Sequence, residues 1–268
     1  MKLKSPYLVK PNAKLKLSRI ATDDTRPFKH EDAANAVLDR HCKQLASLQE
    51  IFYASQQKAL LIVLQGMDTA GKDGAISHIF SGINPQGCNV SAFKEPTPLE
   101  ARHDFLWRIH AQVPPRGMIQ IFNRSHYEDI LVPRVHKLLS AGKLEQHIED
   151  ILEFESMLHD NDVVILKFFL HISPEEQTRR LQSRLDTPDK HWKLSESDFR
   201  EREFWPRYED AYNHLLGATS RKHAPWFIIP SDYKWFRNVA ISQILVEAMK
   251  SLKLEYPKPT MDPTKVKL

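Results

Sequence analysis

The chain is poor in cysteine and has no long apolar run. Its two cysteines in 268 residues, Cys42 and Cys88, form no CxxC pair. We therefore expect neither a disulfide framework nor a cysteine-ligated zinc site, and the reducing cytoplasm is the predicted location. No stretch of 18 apolar residues is present, so no membrane span is expected. The charged, proline-interrupted start of the chain does not resemble a signal peptide.

Neither basic nor acidic residues are in large excess. The chain has 38 basic and 34 acidic residues, a formal net charge of +4. A net charge this small does not by itself indicate nucleic acid or a membrane surface as a partner. With 41% hydrophobic residues the chain is long enough to bury a core of its own. The positions of the basic residues, beside the motifs described next, are more informative than their number.

Short apolar runs alternate with helical patterns along the chain. Residues 59–65, ALLIVLQ, are uniformly apolar up to the final glutamine, as is typical of a parallel strand buried on both faces. This alternation predicts an α/β fold with a parallel sheet and helices on both faces. The other predicted strands are 89–93, 118–122, 163–170 and 226–229, and the main predicted helices are 30–55, 98–112, 144–160 and 238–252, with another starting near 74.

Three segments do not follow the alternation. Residues 1–30 and 257–268 have irregular patterns, with three prolines in the second. Residues from about 174 to 212 are dense in charge, which predicts a helical lid over a site instead of core. We therefore expect residues 1–268 to form a single domain with a lid.

A glycine-rich turn follows the first predicted strand. Gly66 to Lys72 has the spacing GxxxxGK between a predicted strand and a predicted helix, the context that a phosphate-binding loop needs. Backbone N–H groups and the positive end of the helix would face the anion, and Lys72 would span two phosphates. The alternative is a turn that only packs the helix on the strand. The predicted phosphate-binding residues here are Gly66, Ala70, Gly71, Lys72, Asp73 and Gly74.

Two acids stand in this loop. Asp73 occupies the position after the lysine, where the common motif has the Ser or Thr that binds Mg²⁺, and Asp68 lies inside the turn. Carboxylates beside bound phosphates need a metal ion to offset the charge, and they suit hard cations. Asp68 is the preferred metal ligand. Asp73 is either a second ligand or a favourable acid at the helix start.

A second polar cluster follows the predicted strand 118–122. Many P-loop enzymes place a metal-binding aspartate where this chain has Asn123, so Asp129 is predicted to supply the missing carboxylate. Glu128 either assists it or repels an incoming phosphate. Arg124 and Arg134 are predicted to bind phosphates bidentately, with a surface salt bridge as the alternative for each. Carboxyl ends of strands are where open α/β sheets bind ligands.

The neighbouring His126 and Tyr127 are predicted to pack or hydrogen-bond. Phosphoryl transfer depends on positioning and electrostatics, so it requires no histidine.

The motifs together resemble the polyphosphate kinase 2 family. The matching segments are GMDTAGKDG, SAFKEPTPLE, IFNRSHYEDILVPRV, LKFFLHISPEEQTRRLQSR and DKHWKLS, within about residues 28–257. The resemblance is to the branch with Asn-Arg-Ser-His-Tyr-Glu-Asp, whose members can phosphorylate nucleoside monophosphates as well as diphosphates. Other branches have Asp at position 123 and lack Asp129.

This resemblance implies a thymidylate-kinase-like three-layer fold, a basic channel for polyphosphate, Mg²⁺ with Mn²⁺ as a substitute, and a homo-oligomer, either dimer or tetramer. It implies Asp68 and Asp129 as metal-associated acids and Lys94 as a lysine near the phosphate path. The residues implied in catalysis are Asp68, Lys72, Arg124 and Asp129.

The predicted lid contains several cations. Arg180 and Arg184 are four residues apart and would share one helix face, with Lys193 further on. Such cations could close on a phosphate chain and exclude water, or they could belong to a solvated helix paired with its own acids. The resemblance favours the lid, with Arg184 on polyphosphate and with Arg180, Lys193 and Glu128 as the nucleotide and lid residues.

The expected reaction is phosphoryl transfer between inorganic polyphosphate and AMP or ADP, giving ADP or ATP, with guanine nucleotides as further candidates. An ATP-dependent P-loop kinase and a non-catalytic binder of polyanions are the alternatives. No NKxD motif is present, which argues against a GTPase. Nucleic acid and membranes are not expected as partners.

Overall fold

The computed structural model of the chain describes residues 3–265. Residues 1–2 and 266–268 lie outside this range, so the prediction of irregular termini is addressed only in part. Within the range the strands are β1 (Ala59–Gly66), β2 (Cys88–Ala92), β3 (Ile119–Asn123), β4 (Val163–His171) and β5 (Trp226–Pro230). The helices are α1 (Glu31–Ser55), α2 (Lys72–Ile79), α3 (Trp107–His110), α4 (Glu128–Val135), α5 (Ala141–Asp160), α6 (Pro174–Leu185), α7 (Glu196–Arg202), α8 (Trp205–Thr219) and α9 (Lys234–Ser251).

The five strands form one sheet in the order β2-β3-β1-β4-β5. Every neighbouring pair in this order is parallel. Leu64 of β1 is in register with Asn123 of β3, and Gly66 is in register with Leu170 of β4. The carboxyl ends of β1 and β3 therefore lie side by side, which brings the two polar clusters together.

The central strand β1 is buried along its whole length. Successive side chains of a strand point to opposite faces. Leu60, Ile62 and Leu64 belong to a core with α1, α2 and α9. Leu61 and Val63 belong to a second core with α4, α5 and α8. The prediction of an α/β fold with a parallel sheet and helices on both faces is confirmed.

The irregular N-terminal segment packs along the β5 edge of the sheet. The backbone N–H of Val9 donates to the carbonyl of Trp226 at 2.9 Å, and that of Ile228 donates to Tyr7 at 2.9 Å. Further on, the N–H of Leu17 donates to the side chain of Asn213 at 2.7 Å. An exposed strand edge invites unwanted pairing, so this segment protects β5.

The predicted helix 98–112 is wrong in its extent. The segment contains a short 3₁₀ turn at Glu100–Arg102 and the single-turn helix α3. His103 between them is extended, and the Asp104 carboxylate accepts a hydrogen bond from the N–H of Leu106 at 3.0 Å. Asp side chains compete in this way with helical backbone bonds, so the apolar spacing of the segment does not produce one continuous helix.

The charge-dense segment starts on a well-capped helix. Ser173 accepts a hydrogen bond from the N–H of Glu176 at 3.1 Å, and Pro174 stands at the first helical position of α6. Further along, the 3₁₀ turn Pro188–Lys193 and helix α7 bury no residue, whereas the second half of α8 returns to the core. The single domain with a mobile lid stays a prediction.

No helix within residues 3–265 combines the length and apolar content that a membrane span requires.

Candidate active site

The glycine-rich turn connects β1 to α2 at the carboxyl edge of the sheet. Thr69 and Gly71 both have left-handed backbone conformations, with φ of 66° and 99°, and glycine adopts this region without steric strain. Helix α2 begins at Lys72. The first N–H groups of a helix have no partner within it and attract anions. The turn therefore has the backbone arrangement of a phosphate-binding loop, as predicted.

Lys72 is buried at the start of α2. Its Nζ donates to the carbonyl oxygen of Gly66 at 2.9 Å and lies 3.4 Å from that of Met67. Burial lowers the pKa of Lys72, and the nearby Arg124 lowers it further, against the opposing effect of Asp68. The ammonium is thus desolvated, and no carboxylate of the described residues 3–265 lies within 4.0 Å of it, which favours an incoming anion.

The end of β3 contacts the loop through two polar pairs. Arg124, in a left-handed conformation with φ of 62°, donates through Nη2 to Oδ1 of Asp68 at 2.5 Å. Burial acts to lower the pKa of Arg124, but Glu128 and Asp68 outweigh burial and raise it. Asn123 donates to Oδ1 of Asp73 at 2.5 Å. Both acids of the loop are therefore tied to the neighbouring strand.

The first turn of α4 places Glu128 and Asp129 beside the loop. Glu128 accepts a hydrogen bond from the side chain of Gln65 at 3.1 Å. Asp129 forms an ion pair with Arg108 at 3.3 Å. Burial raises the pKa of Asp129, and Arg108 opposes that rise. Arg108 itself is 7% exposed and also donates to the carbonyl of Lys94 at 2.8 Å.

Arg108 was not predicted from the sequence. It stands in the segment that resembled a continuous helix, and nothing in the pattern links it to Asp129, 21 residues away. The one available signal is its position next to the buried Ile109 on α3.

His126 and Tyr127 lie in the core behind these acids. Both side chains are fully buried, and Tyr127 donates to Oε1 of Glu155 at 2.7 Å. His126 lies 3.4 Å from the same carboxylate oxygen. Lys167 on β4 completes the cluster, with Nζ at 2.6 Å from Glu155 and 2.8 Å from the Tyr127 hydroxyl. The prediction that these two residues pack and hydrogen-bond is confirmed.

Two adjoining cavities open at this edge of the sheet. The first, of about 430 Å³, contains the acids Glu128 and Asp129, and the second, of about 630 Å³, contains Lys72. Arg184 and Lys193 also line the second cavity. The residues that line both cavities are Asp68, Phe93, Lys94, Glu95, Arg124 and Ser197.

The predicted lid cations occupy different surroundings. Arg184 pairs with Asp198 at 3.1 Å at the wall of the second cavity, and Lys193 is exposed there. Arg180 lines neither cavity: it is buried beneath the loop and donates to the carbonyls of Thr69 and Ala70, each at 2.9 Å. Arg180 was assigned to the nucleotide and lid group, and it contacts the loop from beneath because the middle of α6 packs under the turn.

Arg134 is also separate from the site. It lines neither cavity and lies 3.7 Å from Asp210 of α8. Five residues along a helix correspond to a rotation of about 140°, so Arg134 points away from the side that Asp129 occupies. Ala70 and Gly74 of the loop likewise form its rear, facing buried arginines instead of the cavity.

The acids of the site are too few to hold a metal ion by protein ligands alone. Among residues 3–265 no group of three or more His, Cys, Asp or Glu side chains is arranged to hold one. Mg²⁺ typically takes one or two carboxylates and completes its shell with water and substrate phosphates. Asp68 and Asp129 line the same cavity and fit that donor set.

A phosphate-binding turn after the central strand, with acids and arginines at the end of the next strand, defines an α/β phosphotransferase of the P-loop class. Comparison with protein families agrees. The model of the polyphosphate kinase 2 family matches residues 29–257, and the chain belongs to this family.

Relatives and a solved structure give the same result. The chain is 46% identical over 254 residues to the AMP/ADP-polyphosphate phosphotransferase of Meiothermus ruber, covering 94% of this chain and 95% of that protein. It is 40% identical over 273 residues to the ADP-polyphosphate phosphotransferase of Rhodopseudomonas palustris, covering 97% and 94%. The crystal structure of polyphosphate kinase 2 from Arthrobacter aurescens superposes with a TM-score of 0.91 at 39% identity, covering 98% and 97%. The predicted fold and family are confirmed.

Proposed function

We propose that the chain transfers a phosphoryl group between inorganic polyphosphate and a nucleotide, converting AMP or ADP to ADP or ATP. The names of its relatives support this activity, because they are called AMP/ADP- and ADP-polyphosphate phosphotransferases. Similarity over nearly the whole length of these proteins also argues against the ATP-dependent kinase and the non-catalytic binder.

One observation supports the reaction most directly: two chemically different cavities meet at the same charged residues. The larger one is lined by five basic residues, among them Lys72, Arg184 and Lys193, beside four acids, so it offers several cations to a polyanionic chain. The smaller one has the apolar Val132, Pro133 and Leu138 in its wall, which suits the base and ribose of a nucleotide. Asp68, Lys94 and Arg124 line both, so donor and acceptor would meet there.

The chain's own residues account for most of the expected chemistry. Lys72 and Arg124 would offset the negative charge that is shared by the three oxygens of the transferred group. The acceptor's terminal phosphate oxygen would attack the end phosphorus in line, and the remaining polyphosphate would leave with the bond electrons. No covalent enzyme intermediate is required. The loop holds the donor in line, so most of the rate enhancement would come from positioning.

Mg²⁺, with Mn²⁺ as a substitute, belongs to the same proposal. Asp68 and Asp129 would hold it, and when bound it would neutralise phosphate charge between donor and acceptor. Both acids already contact arginines, at 2.5 Å for Asp68–Arg124 and 3.3 Å for Asp129–Arg108. These arginines keep the carboxylates oriented towards the cavity. Glu128 and Asp73 would remain hydrogen-bonded supports.

The exposed turn with Lys193, together with Arg184, would cover the polyphosphate. Trp192 in this turn is 79% exposed, and the Lys193 ammonium lies 4.9 Å from its ring centre. Closure over a bound chain would exclude water and protect the donor from hydrolysis.

The test is to incubate the purified chain with polyphosphate, Mg²⁺ and each adenine and guanine mono- and diphosphate, and to resolve the products. ATP formed from ADP, with polyphosphate as the sole phosphoryl source, is the expected result. Turnover only with ATP as donor would establish the conventional kinase instead. RNA binding that is independent of Mg²⁺ and unaccompanied by turnover would favour the polyanion binder.

A homo-oligomer and a cytoplasmic location complete the proposal. Light scattering on the purified protein distinguishes monomer, dimer and tetramer. The location is supported by the two thiols, Cys42 and Cys88, which are both free, as expected in a reducing compartment.

A further inference from the structure

A second buried arginine lies beneath the phosphate loop. Arg237, in the first turns of α9, is 1% exposed. Its Nη1 lies 3.3 Å from the carbonyl oxygen of Ala70. Its Nε and Nη2 donate to Oδ1 of Asn238 at 3.1 and 2.8 Å. No motif of the sequence pointed to this residue.

The guanidinium group fills the space left by two glycines of the loop. A Cβ atom on Gly71 would lie 1.9 Å from Nη1 of Arg237, and one on Gly74 would lie 3.3 Å from Nη2. The loop and the arginine are therefore in direct contact, and a side chain at position 71 would displace the guanidinium.

The two arginines under the loop differ in how their charge is compensated. Arg180 contacts the carboxylate of Glu176 at 2.7 Å. Arg237 has no Asp or Glu oxygen within 4.0 Å in the part of the chain that the structure describes. Burial, and then the charge of Arg180, lower the pKa of Arg237 to about 9. A buried cation without a counter-ion destabilises the folded state.

The contact also orients one peptide group. The carbonyl of Ala70 points at both guanidinium groups, at 2.9 Å from Arg180 and 3.3 Å from Arg237. The peptide bond is planar and trans, so the N–H of Gly71 points the opposite way. Gly71 lines the larger cavity. The arginine pair thereby holds a backbone donor towards the place where phosphate is expected.

We propose that Arg237 is a positioning residue for the phosphate chain, whose negative charge, bound across the loop, is the counter-charge that this buried guanidinium lacks within the protein. The residue acts through the Ala70–Gly71 peptide and through its field, without touching the ligand. The proposal rests on the proposed function, because it assumes that a polyanion occupies the loop.

The test is a substitution at Asn238, the hydrogen-bond partner of Arg237. Asn238→Asp keeps the arginine and its hydrogen bonds but gives it an ion-pair partner of the same shape. We expect a higher melting temperature and about tenfold weaker binding of inorganic tripolyphosphate, since an internal anion replaces the ligand as counter-charge. Arg237→Met removes the charge altogether. It should weaken binding by about as much, without lowering the melting temperature, because an unpaired buried cation is lost.

Arg116→Met is the matched control. It also removes one positive charge, but from a 58% exposed arginine that pairs with Asp162 at the opposite edge of the sheet. Tripolyphosphate affinity, measured by calorimetry without turnover, should stay within about twofold of the wild type, since exposed charges are screened. Arg237→Lys should bind more tightly than Arg237→Met.

The outcomes separate this inference from the proposed function. If the wild-type protein binds no tripolyphosphate, both are overturned. If it binds and Asn238→Asp binds equally well, only the role of Arg237 is overturned. Weak binding by Asn238→Asp that comes with a lower melting temperature would mean a structural role and would also overturn it. Should Arg237→Met not fold, Asn238→Asp alone decides.

Discussion

Two groups of buried charges in this molecule differ in their partners. Behind the site, Lys167 contacts Glu155 at 2.6 Å, the Tyr127 hydroxyl at 2.8 Å and the carbonyl of Thr219 at 2.9 Å. Around the loop, the polar contacts of Lys72 and Arg237 within residues 3–265 are to carbonyl and amide oxygens. The first group has a carboxylate partner in direct contact, whereas for the second group we propose that a bound anion supplies the missing counter-charge.

This difference in partners implies that the two groups of buried charges have different roles. Burial lowers the pKa of Lys167 to about 8, and the contact with Glu155 opposes that effect. For Glu155, burial acts to raise the pKa, and Lys167 and His126 outweigh it. This cluster connects β4, α5 and the turn before α4, so it serves folding. The loop cations should serve binding at some expense of stability, and the following changes test that distinction.

The largest effect is expected in the compensated group. Glu155→Leu leaves Lys167 buried without a counter-charge and should lower the free energy of unfolding by about 3–5 kcal/mol. Urea unfolding measures this. The double variant Glu155→Leu/Lys167→Met removes both charges and should recover most of the stability. A single variant as stable as the wild type would contradict the distinction.

In the loop, Lys72→Met should have the opposite profile. We expect kcat to fall about 10²–10³-fold, the usual result of losing one positioned donor to the reacting group. The melting temperature should not fall, since the lost ammonium has no carboxylate partner. Steady-state kinetics and a thermal melt on the same sample measure both. A large loss of stability would place Lys72 with the structural charges.

Asp129→Asn should remove most phosphoryl transfer, by about 100-fold, while the protein remains folded. The amide keeps the shape of the carboxylate but cannot supply its negative charge to a metal ion. Circular dichroism checks the fold. Near-normal turnover with saturating Mg²⁺ and polyphosphate would show that Asp129 does not have this role.

The smallest effect is expected in the pH dependence of kcat/KM. Burial raises the pKa of Asp129, and Arg108 holds the rise in check. Arg108→Met should let the pKa rise further. The ionised form is lost as pH falls through that pKa, so the acid limb of kcat/KM should move to higher pH. Arg102→Met, an exposed arginine of the same segment, is the control and should leave the limb in place.

Much of the fold was predictable because its signals are local. All five strands were predicted to within one or two residues, since β1, β3, β4 and β5 are short apolar runs between polar turns. The phosphate loop was predictable for the same reason, as its motif stands between a strand and a helix. The wrong prediction of one continuous helix over residues 98–112 also has a local cause, because Asp104 competes with the helix for a backbone N–H.

The roles of several arginines were not predictable from the sequence. Arg184 was assigned to the phosphate side and lines that cavity, while Arg134 and Arg180 were assigned to the site and line neither cavity. Arg108 and Arg237 were not predicted at all. A guanidinium group at the end of a long side chain reaches partners that periodicity does not specify, so its role depends on which elements pack around it.

The amino-acid sequence by itself determined the strands, the long helices α1, α5 and α9, the phosphate loop and the acids near it, because backbone preferences and burial act over a few residues. Tertiary structure alone decided which charges are paired. Glu155 meets Lys167 from 12 residues away, and Arg237 reaches Ala70 from 167 residues away. Whether a buried charge serves folding or binding depends on those distant partners, because compensation is set by distance in space and not along the chain.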